Sequence, residues 1–148
     1  MTIQERLTEA MKVAMKAKDS LRLNTIRMMR TAIKNREIDT RGELSETEAI
    51  SILSTLVKQR RESAEAFRTG GRAELAAKEE QELVIIQEFL PAQLDEAGIS
   101  ALIEKAVLET GAASPKDMGK VMKLVSAQTT GRADGRLVSE LVKARLAG

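Results

Sequence analysis

The sequence predicts an all-α protein with a four-helix amino-terminal subdomain, residues 1–91, and a small three-helix carboxy-terminal subdomain, residues 95–148. Three observations lead to this fold class. Apolar residues recur every three or four positions along most of the chain, which is the period of a helix. The composition is typical of helical bundles, with 43% hydrophobic and 31% charged residues but only two aromatic residues among 148. Helix-capping residues, glycines and prolines separate the periodic stretches.

The first two helices are predicted from their caps and their apolar faces. Thr2 is a suitable N-cap, and the apolar pattern that follows it continues to about Lys18. Asp19 and Ser20 then offer a second cap, after which a broad apolar face runs to about Ile38. We therefore expect two consecutive helices joined by a very short connection.

The next two helices are predicted to form an antiparallel hairpin. Ser45 and Glu48 have the spacing of a capping box and precede a long apolar pattern. The pair Gly70-Gly71 can supply the left-handed residue that ends this third helix. A fourth helix follows the glycines and is expected to stop near Pro91.

The carboxy-terminal part is predicted to contain three shorter helices. Asp95 caps the fifth helix, which closes at Gly111. Ser114 and Pro115 open the sixth helix, because proline favours the first helical position. Asp134 is the expected cap of the last helix, after a polar loop.

The composition excludes the commonest catalytic and metal sites. The chain contains no histidine and no cysteine, so it lacks an imidazole base, a thiolate nucleophile and the usual ligands of zinc. No glycine-rich phosphate loop or other cofactor motif occurs. We therefore predict no catalytic residues, no metal and no cofactor, and whether the protein is an enzyme stays open at this point.

The hydropathy pattern predicts a protein that neither enters nor spans a membrane. The longest wholly apolar run, Leu83 to Ile86, is far shorter than the ~20 residues of a membrane span. The amino-terminal residues are acidic within the first five positions and do not resemble a secretory signal. These features, together with the lack of cysteine, lead us to expect a cytoplasmic location.

Positive charge is concentrated in two parts of the chain, although the net charge is only +2. Nine basic and three acidic residues lie between positions 11 and 41, and seven basic and three acidic residues lie between 110 and 148. Arg27, Arg30 and Lys34 fall on one face of the second helix, opposite its apolar face. Lys116, Lys120 and Lys123 do the same on the sixth helix. Either face suits an anionic partner, but solvated helix faces are commonly charged, and composition alone favours that simpler interpretation.

Arg60 is predicted to form a structural ion pair rather than a catalytic site. It lies within the apolar face of the third helix, where an exposed charge is not expected. A hairpin that turns at the glycine pair places Arg60 opposite Glu79 and Glu82. A cation or an amide held by these carboxylates is the less favoured alternative, because nothing nearby supplies a nucleophile.

Several longer motifs resemble the YqeY family. They are Lys58-Gln-Arg-Arg-Glu-Ser63, Phe89-Leu-Pro-Ala-Gln-Leu94, Ser114-Pro-Lys-Asp-Met-Gly-Lys-Val-Met122 and Gly131-Arg-Ala-Asp-Gly135. That family is similar to the carboxy-terminal tail region of the B subunit of the glutamyl-tRNA(Gln)/aspartyl-tRNA(Asn) amidotransferase. The resemblance implies an all-helical, two-part fold and the handling of tRNA. It also associates the family with glutamine-dependent carbon–nitrogen ligase activity. This chain lacks the serine, second serine and lysine signature of the amidase subunit, so we do not expect it to carry that activity by itself.

The resemblance shifts the interpretation of the basic residues from solvated faces to a nucleic-acid-binding surface. The expected partner is tRNA or another structured RNA, in company with an aminoacyl-tRNA amidotransferase or synthetase. The expected phosphate contacts in the carboxy-terminal part are Lys116, Lys120, Lys123, Arg132 and Arg136, with Arg27, Arg30 and Lys34 as a secondary set. Two alternatives stay open, a helical protein-interaction module that binds an acidic protein and an amidotransferase in its own right.

Overall fold

A computed structural model describes all 148 residues and contains seven α-helices, one short 3₁₀ turn and no strand. The prediction of an all-α fold is confirmed. The helices are α1 (Ile3–Ala17), α2 (Ser20–Thr40), α3 (Glu46–Thr69), α4 (Ala73–Gln87), α5 (Glu96–Thr110), α6 (Met118–Thr129) and α7 (Gly135–Ala147), and the 3₁₀ turn is Pro115–Asp117.

The chain forms two compact units, Met1–Pro91 and Ala92–Gly148, each with a hydrophobic core of its own. The first unit contains α1 to α4, and the second contains α5 to α7. The largest fully buried side chains of the first core are Leu7, Ile26, Met29, Leu53 and Ile86. Those of the second core are Ile99, Ile103, Val121, Val125, Val138 and Val142.

In the first unit, α3 and α4 form the antiparallel hairpin that the glycine pair predicts. Of the two glycines, Gly71 adopts the left-handed conformation, with φ of 76°, whereas Gly70 has φ of −78°. A side chain at Gly71 would be strained there, although no neighbouring atom occupies the space. Helix α2 packs against α3 and α4, and α1 packs mainly against α2.

Five of the predicted N-caps form the expected hydrogen bonds, whereas Ser114 and Pro115 open the 3₁₀ turn and α6 begins only at Met118. Each cap side chain accepts from a backbone N–H in the first turn of its helix, as hydroxyl and carboxylate caps do. These caps are Thr2, Asp19, Ser45, Asp95 and Asp134. The local polar sequence therefore determines where five of the seven helices begin.

Helix α4 ends earlier than the sequence predicts, at Gln87 rather than near Pro91. The N–H groups of Phe89 and Leu90 donate over three residues instead of four, at 3.1 Å each, which tightens the chain into turns. The side chain of Arg6 donates to the carbonyl oxygens of Glu88 at 2.8 Å and Phe89 at 3.3 Å. Because an arginine from α1 takes up these carbonyls, the helix can stop before the proline.

The second unit begins before its first helix. The N–H of Leu94 donates to the carbonyl of Arg132 at 2.7 Å, and the side-chain amide of Gln93 donates to the carbonyl of Gly131 at 2.8 Å. In return, Nε of Arg132 donates to the carbonyl of Ala92 at 3.0 Å. These three bonds hold residues 92–94 against the loop that precedes α7, so the unit includes three residues before the predicted boundary at 95.

The helices differ in length and polarity, and none combines the length and the apolar character that crossing a membrane requires.

Candidate nucleic-acid interface

Three lysines form a row along the start of the sixth helix, which we call the lysine row. Lys116 lies in the 3₁₀ turn, and Lys120 and Lys123 follow in α6, so successive members are three or four residues apart. All three are exposed, whereas Val121 and Val125 on the same helix are buried in the core. The lysine row therefore faces solvent and places three positive charges along about two turns.

The lysine row takes part in none of the ion pairs of the structure. The acidic residue that interacts electrostatically with the lysine row is Asp117, which lies between Lys116 and Lys120 in the sequence. The carboxylate of Asp117 accepts from the backbone N–H groups of Ala113 at 3.0 Å and Ser114 at 3.4 Å. These hydrogen bonds, the one from Ala113 foremost, together with the charge of Lys120, lower the pKa of Asp117.

The start of the seventh helix is occupied by a carboxylate of the chain itself, because Asp134 accepts from the N–H of Arg136 at 3.1 Å. Asp117 accepts instead from the N–H groups of Ala113 and Ser114, which precede the 3₁₀ turn, and makes no capping hydrogen bond to α6. The exposed side chains of the lysine row are therefore our candidate for anion binding in this part of the chain.

The two arginines predicted in this part of the chain have different surroundings. Arg136 is exposed in the first turn of α7. Arg132 is half-buried, and its Nε is engaged by the carbonyl of Ala92. Arg132 therefore has a structural role in the loop before α7, which the sequence analysis did not anticipate.

The secondary basic set, Arg27, Arg30 and Lys34, lines one groove between α1 and α2, which we call the α1–α2 groove. Its volume is about 650 Å³. All three basic side chains are exposed, and Nη1 of Arg30 lies 2.8 Å from the sulfur of Met11, which places the guanidinium beside α1. The structure thus brings this set together around a concave surface rather than along a flat helix face.

The groove also contains polar residues that sequence reasoning missed. Gln4 and Thr8 approach from α1, and Asn35 approaches from α2. Gln4 and Thr8 lie four residues apart on one helix face, and Asn35 follows Lys34 directly. A helical projection could have found this set, but only with the pairing of α1 and α2 already known.

Arg60 lies between the two carboxylates that the hairpin places opposite it. Its Nε donates to Oε2 of Glu82 at 2.8 Å and lies 3.3 Å from Oε2 of Glu79. Another guanidinium nitrogen contacts the sulfur of Met28 on α2. The Glu79 oxygen is close enough for an ion pair but receives no hydrogen bond, although it is buried. The cluster therefore ties α2, α3 and α4 together, and no group in it is arranged as a nucleophile.

Comparison with known proteins identifies the family. The family model described as Yqey-like protein matches residues 4–146. A protein named "Altered inheritance of mitochondria protein 41, mitochondrial" from Lachancea thermotolerans is 36% identical over 140 residues, which cover 89% of this chain and 74% of that protein. Proteins of the same name from Vanderwaltozyma polyspora and Eremothecium gossypii are 44% and 42% identical over stretches that cover 57% and 58% of this chain. Those stretches span 46% and 48% of the two relatives, about half of their length.

The names of these relatives contradict the cytoplasmic location predicted from the sequence, because each is named as a mitochondrial protein. That prediction was wrong because it depended on two missing features, a secretory signal and cysteine. Neither feature distinguishes one reducing compartment from another. The resemblance drawn from the motifs, in contrast, is confirmed: with a match over nearly its whole length, the chain belongs to the YqeY-like family.

Proposed function

We propose that this protein is an accessory RNA-binding protein whose ligand is tRNA or another structured RNA. The observation that carries the proposal is the lysine row, three exposed lysines that form no ion pair within the chain. Positive side chains that form no internal ion pair are available to neutralise phosphates and release their counterions. The similarity of the family to the tail region of an amidotransferase B subunit supports tRNA as the RNA and an aminoacyl-tRNA amidotransferase or synthetase as the neighbouring enzyme.

The proposed contacts recognise the backbone of the RNA rather than its bases. Lysine ammonium groups bind phosphates as point charges, so they position a ligand without reading its sequence. Arg136 on α7 is proposed as a further contact, and Arg132 as a weaker one because its Nε is already bonded. The chain would then select RNA by shape.

The proposal assigns binding, and no bond-making step, to this chain. The sequence has neither histidine nor cysteine to serve as base or nucleophile. A contribution to glutamine-dependent chemistry would come from the neighbouring enzyme, with this protein holding the RNA.

The test is a titration of fluorescently labelled bulk tRNA with the whole protein at two salt concentrations. Replacing Lys116, Lys120 and Lys123 with glutamine should weaken binding and reduce the slope of log K against log salt by about 3, close to one unit per lysine removed. A matched control variant replaces three exposed lysines outside the proposed surfaces, Lys58, Lys78 and Lys105, with glutamine. The control should bind nearly as the unmodified protein does.

Two results would contradict the proposal. One is the absence of binding at low salt, or binding that does not respond to salt. The other is an equal loss in the control variant, which would attribute the effect to total charge instead of the lysine row. Capture of an acidic protein that persists after nuclease treatment, combined with no tRNA binding, would favour the protein-interaction module.

A further inference from the structure

The α1–α2 groove differs from the lysine row in shape and in chemistry. It is concave, with a volume of about 650 Å³, in the range of sites that enclose small ligands. One wall carries the cations Arg27, Arg30 and Lys34, and the other carries the amide and hydroxyl of Gln4 and Thr8. A surface that only neutralises the phosphates of a duplex needs neither concavity nor amides.

The aliphatic residues at the floor of the groove expose almost none of their side chains. Leu7 is 0% exposed and Ile33 is 2% exposed, although both line the groove. Met11 is only partly buried, and its sulfur is contacted by Arg30. An amphipathic helix binds by inserting apolar anchors into a hydrophobic groove. Because such anchors would find little to contact here, the floor disfavours a helical peptide.

The polar groups match the requirements of unpaired nucleotides. Guanidinium planes stack on exposed bases, and side-chain amides hydrogen-bond to base edges that pairing would otherwise cover. Arg27 and Arg30 supply the guanidinium groups, and Gln4 and Asn35 supply the amides. Glu37 also lines the groove and offsets one of its three cations, so charge alone does not account for the site.

We propose that the α1–α2 groove binds unpaired nucleotides at a single-stranded part of the RNA. This inference rests on the proposed function, which assigns RNA binding to the chain, and adds a second mode of contact. The lysine row, in the second unit, would contact phosphates, and the groove, in the first unit, would contact bases. Arg30, whose guanidinium lies beside Met11 of α1, is the proposed stacking residue.

The test compares two RNA probes, a blunt hairpin and the same hairpin with three unpaired nucleotides at its 3′ end. The whole protein should bind the extended hairpin about tenfold more tightly, an effect of the size expected from one stacked base. Arg30→Met should remove this preference while binding to the blunt hairpin changes little. Arg30→Lys keeps the charge but loses the planar group, so it should also remove most of the preference.

Arg36 provides a matched control on the same helix. It is exposed and lies outside the α1–α2 groove, next to Ser51 and Thr55 of α3. Arg36→Met should keep the tenfold preference. Thermal melts of all variants should be alike, since every altered side chain is exposed.

Each other outcome overturns the inference. Equal binding of both hairpins, with the lysine-row variant still defective, rejects the groove and leaves the proposed function intact. Binding of neither hairpin rejects both. A preference that persists in Arg30→Met places the unpaired nucleotides elsewhere. Binding of a polyglutamate peptide that Arg30→Met abolishes, without any preference between the hairpins, assigns the groove to an acidic protein segment instead.

Discussion

At Arg60 a single guanidinium serves two carboxylates in a place that is mostly shielded from water. The side chains of Arg60, Glu79 and Glu82 are 20%, 21% and 17% exposed. Ion pairs in such places add little net stability, because desolvation offsets most of the attraction. Removing one partner is different, because the remaining charges keep their desolvation penalty without the compensating contact.

We therefore expect Arg60→Met to lower the free energy of unfolding by about 2 kcal/mol, below the cost for a fully buried pair because these groups retain some water. Arg68→Met is the matched control. Arg68 also bridges α3 and α4, through Glu80 at 2.6 Å, but its side chain is 56% exposed. Its loss should lower the free energy of unfolding clearly less than the loss of Arg60, because water screens an exposed ion pair. Urea denaturation measures both values, and equal losses in the two variants would contradict the argument.

Some side-chain contacts of this kind can be predicted from the sequence, and others cannot. Arg60 was assigned to Glu79 and Glu82 because the glycine turn sets which residues of α3 and α4 lie opposite each other. The contact of Arg132 with the carbonyl of Ala92 has no such guide. It joins a side chain to the backbone of a non-helical segment 40 residues earlier, and no periodicity connects the two.

Among the helices, the start of α6 depends on a charged group. Asp117 closes the 3₁₀ turn by accepting from the N–H groups of Ala113 and Ser114. Only the ionised carboxylate accepts both bonds well, which is why folding lowers its pKa. A carboxyl group with a lowered pKa stabilises the fold above its ordinary value of 3.8, and this contribution disappears as the pH falls through the lower, folded value.

The expected consequence is a pH-dependent difference between the unmodified protein and Asp117→Asn. The variant should be less stable at neutral pH, and the two stabilities should converge as the pH falls below 3.8. Chemical denaturation at several pH values measures this difference. A gap that stays constant, or widens in acid, would show that the carboxylate charge is not what holds the turn.

Helix boundaries were predictable where polar side chains cap them and less so where tertiary contacts decide. Thr2 and Ser45 identify the starts of α1 and α3 directly. The ends of α1 and α2 instead use Lys18 and Arg41 in the left-handed conformation, with φ of 55° and 57°. A glycine is the expected residue at such positions. Neither lysine nor arginine signals this geometry, so the apolar pattern, and not a capping residue, predicted that α1 ends near Lys18 and α2 near Ile38, two residues before its observed end.

On the scale of the whole molecule, two separate cores suggest that the chain has two cooperative parts. We expect fragments 1–91 and 92–148 each to unfold cooperatively, with the shorter fragment only marginally stable because small domains bury less of their surface. A fragment that starts at 95 loses the three hydrogen bonds of residues 92–94. At about 1 kcal/mol per bond, it should be roughly 2–3 kcal/mol less stable.

Circular dichroism and urea denaturation of the three fragments measure these differences. A fragment 1–91 without a cooperative transition would show that the first core depends on the second. Equal stability of 92–148 and 95–148 would show that the bonds of residues 92–94 contribute nothing.

The arrangement of the basic residues across the molecule could not be predicted at this scale, since exposed lysines have no packing partner that determines their position.

The hydrogen bonds of residues 92–94 also couple the loop before α7 to conformational changes in a segment that is distant in the sequence. The amide proton of Leu94 is shielded only while the carbonyl of Arg132 stays in place. Local opening of residues 92–94 or of the loop before α7 therefore breaks the hydrogen bonds between the two segments. Amide hydrogen exchange at Leu94 thus reports the mobility of a loop nearly forty positions downstream. Because that loop leads directly into the first turn of α7, loosening of the chain around Ala92 would change the position of the exposed Arg136 without altering any charged group.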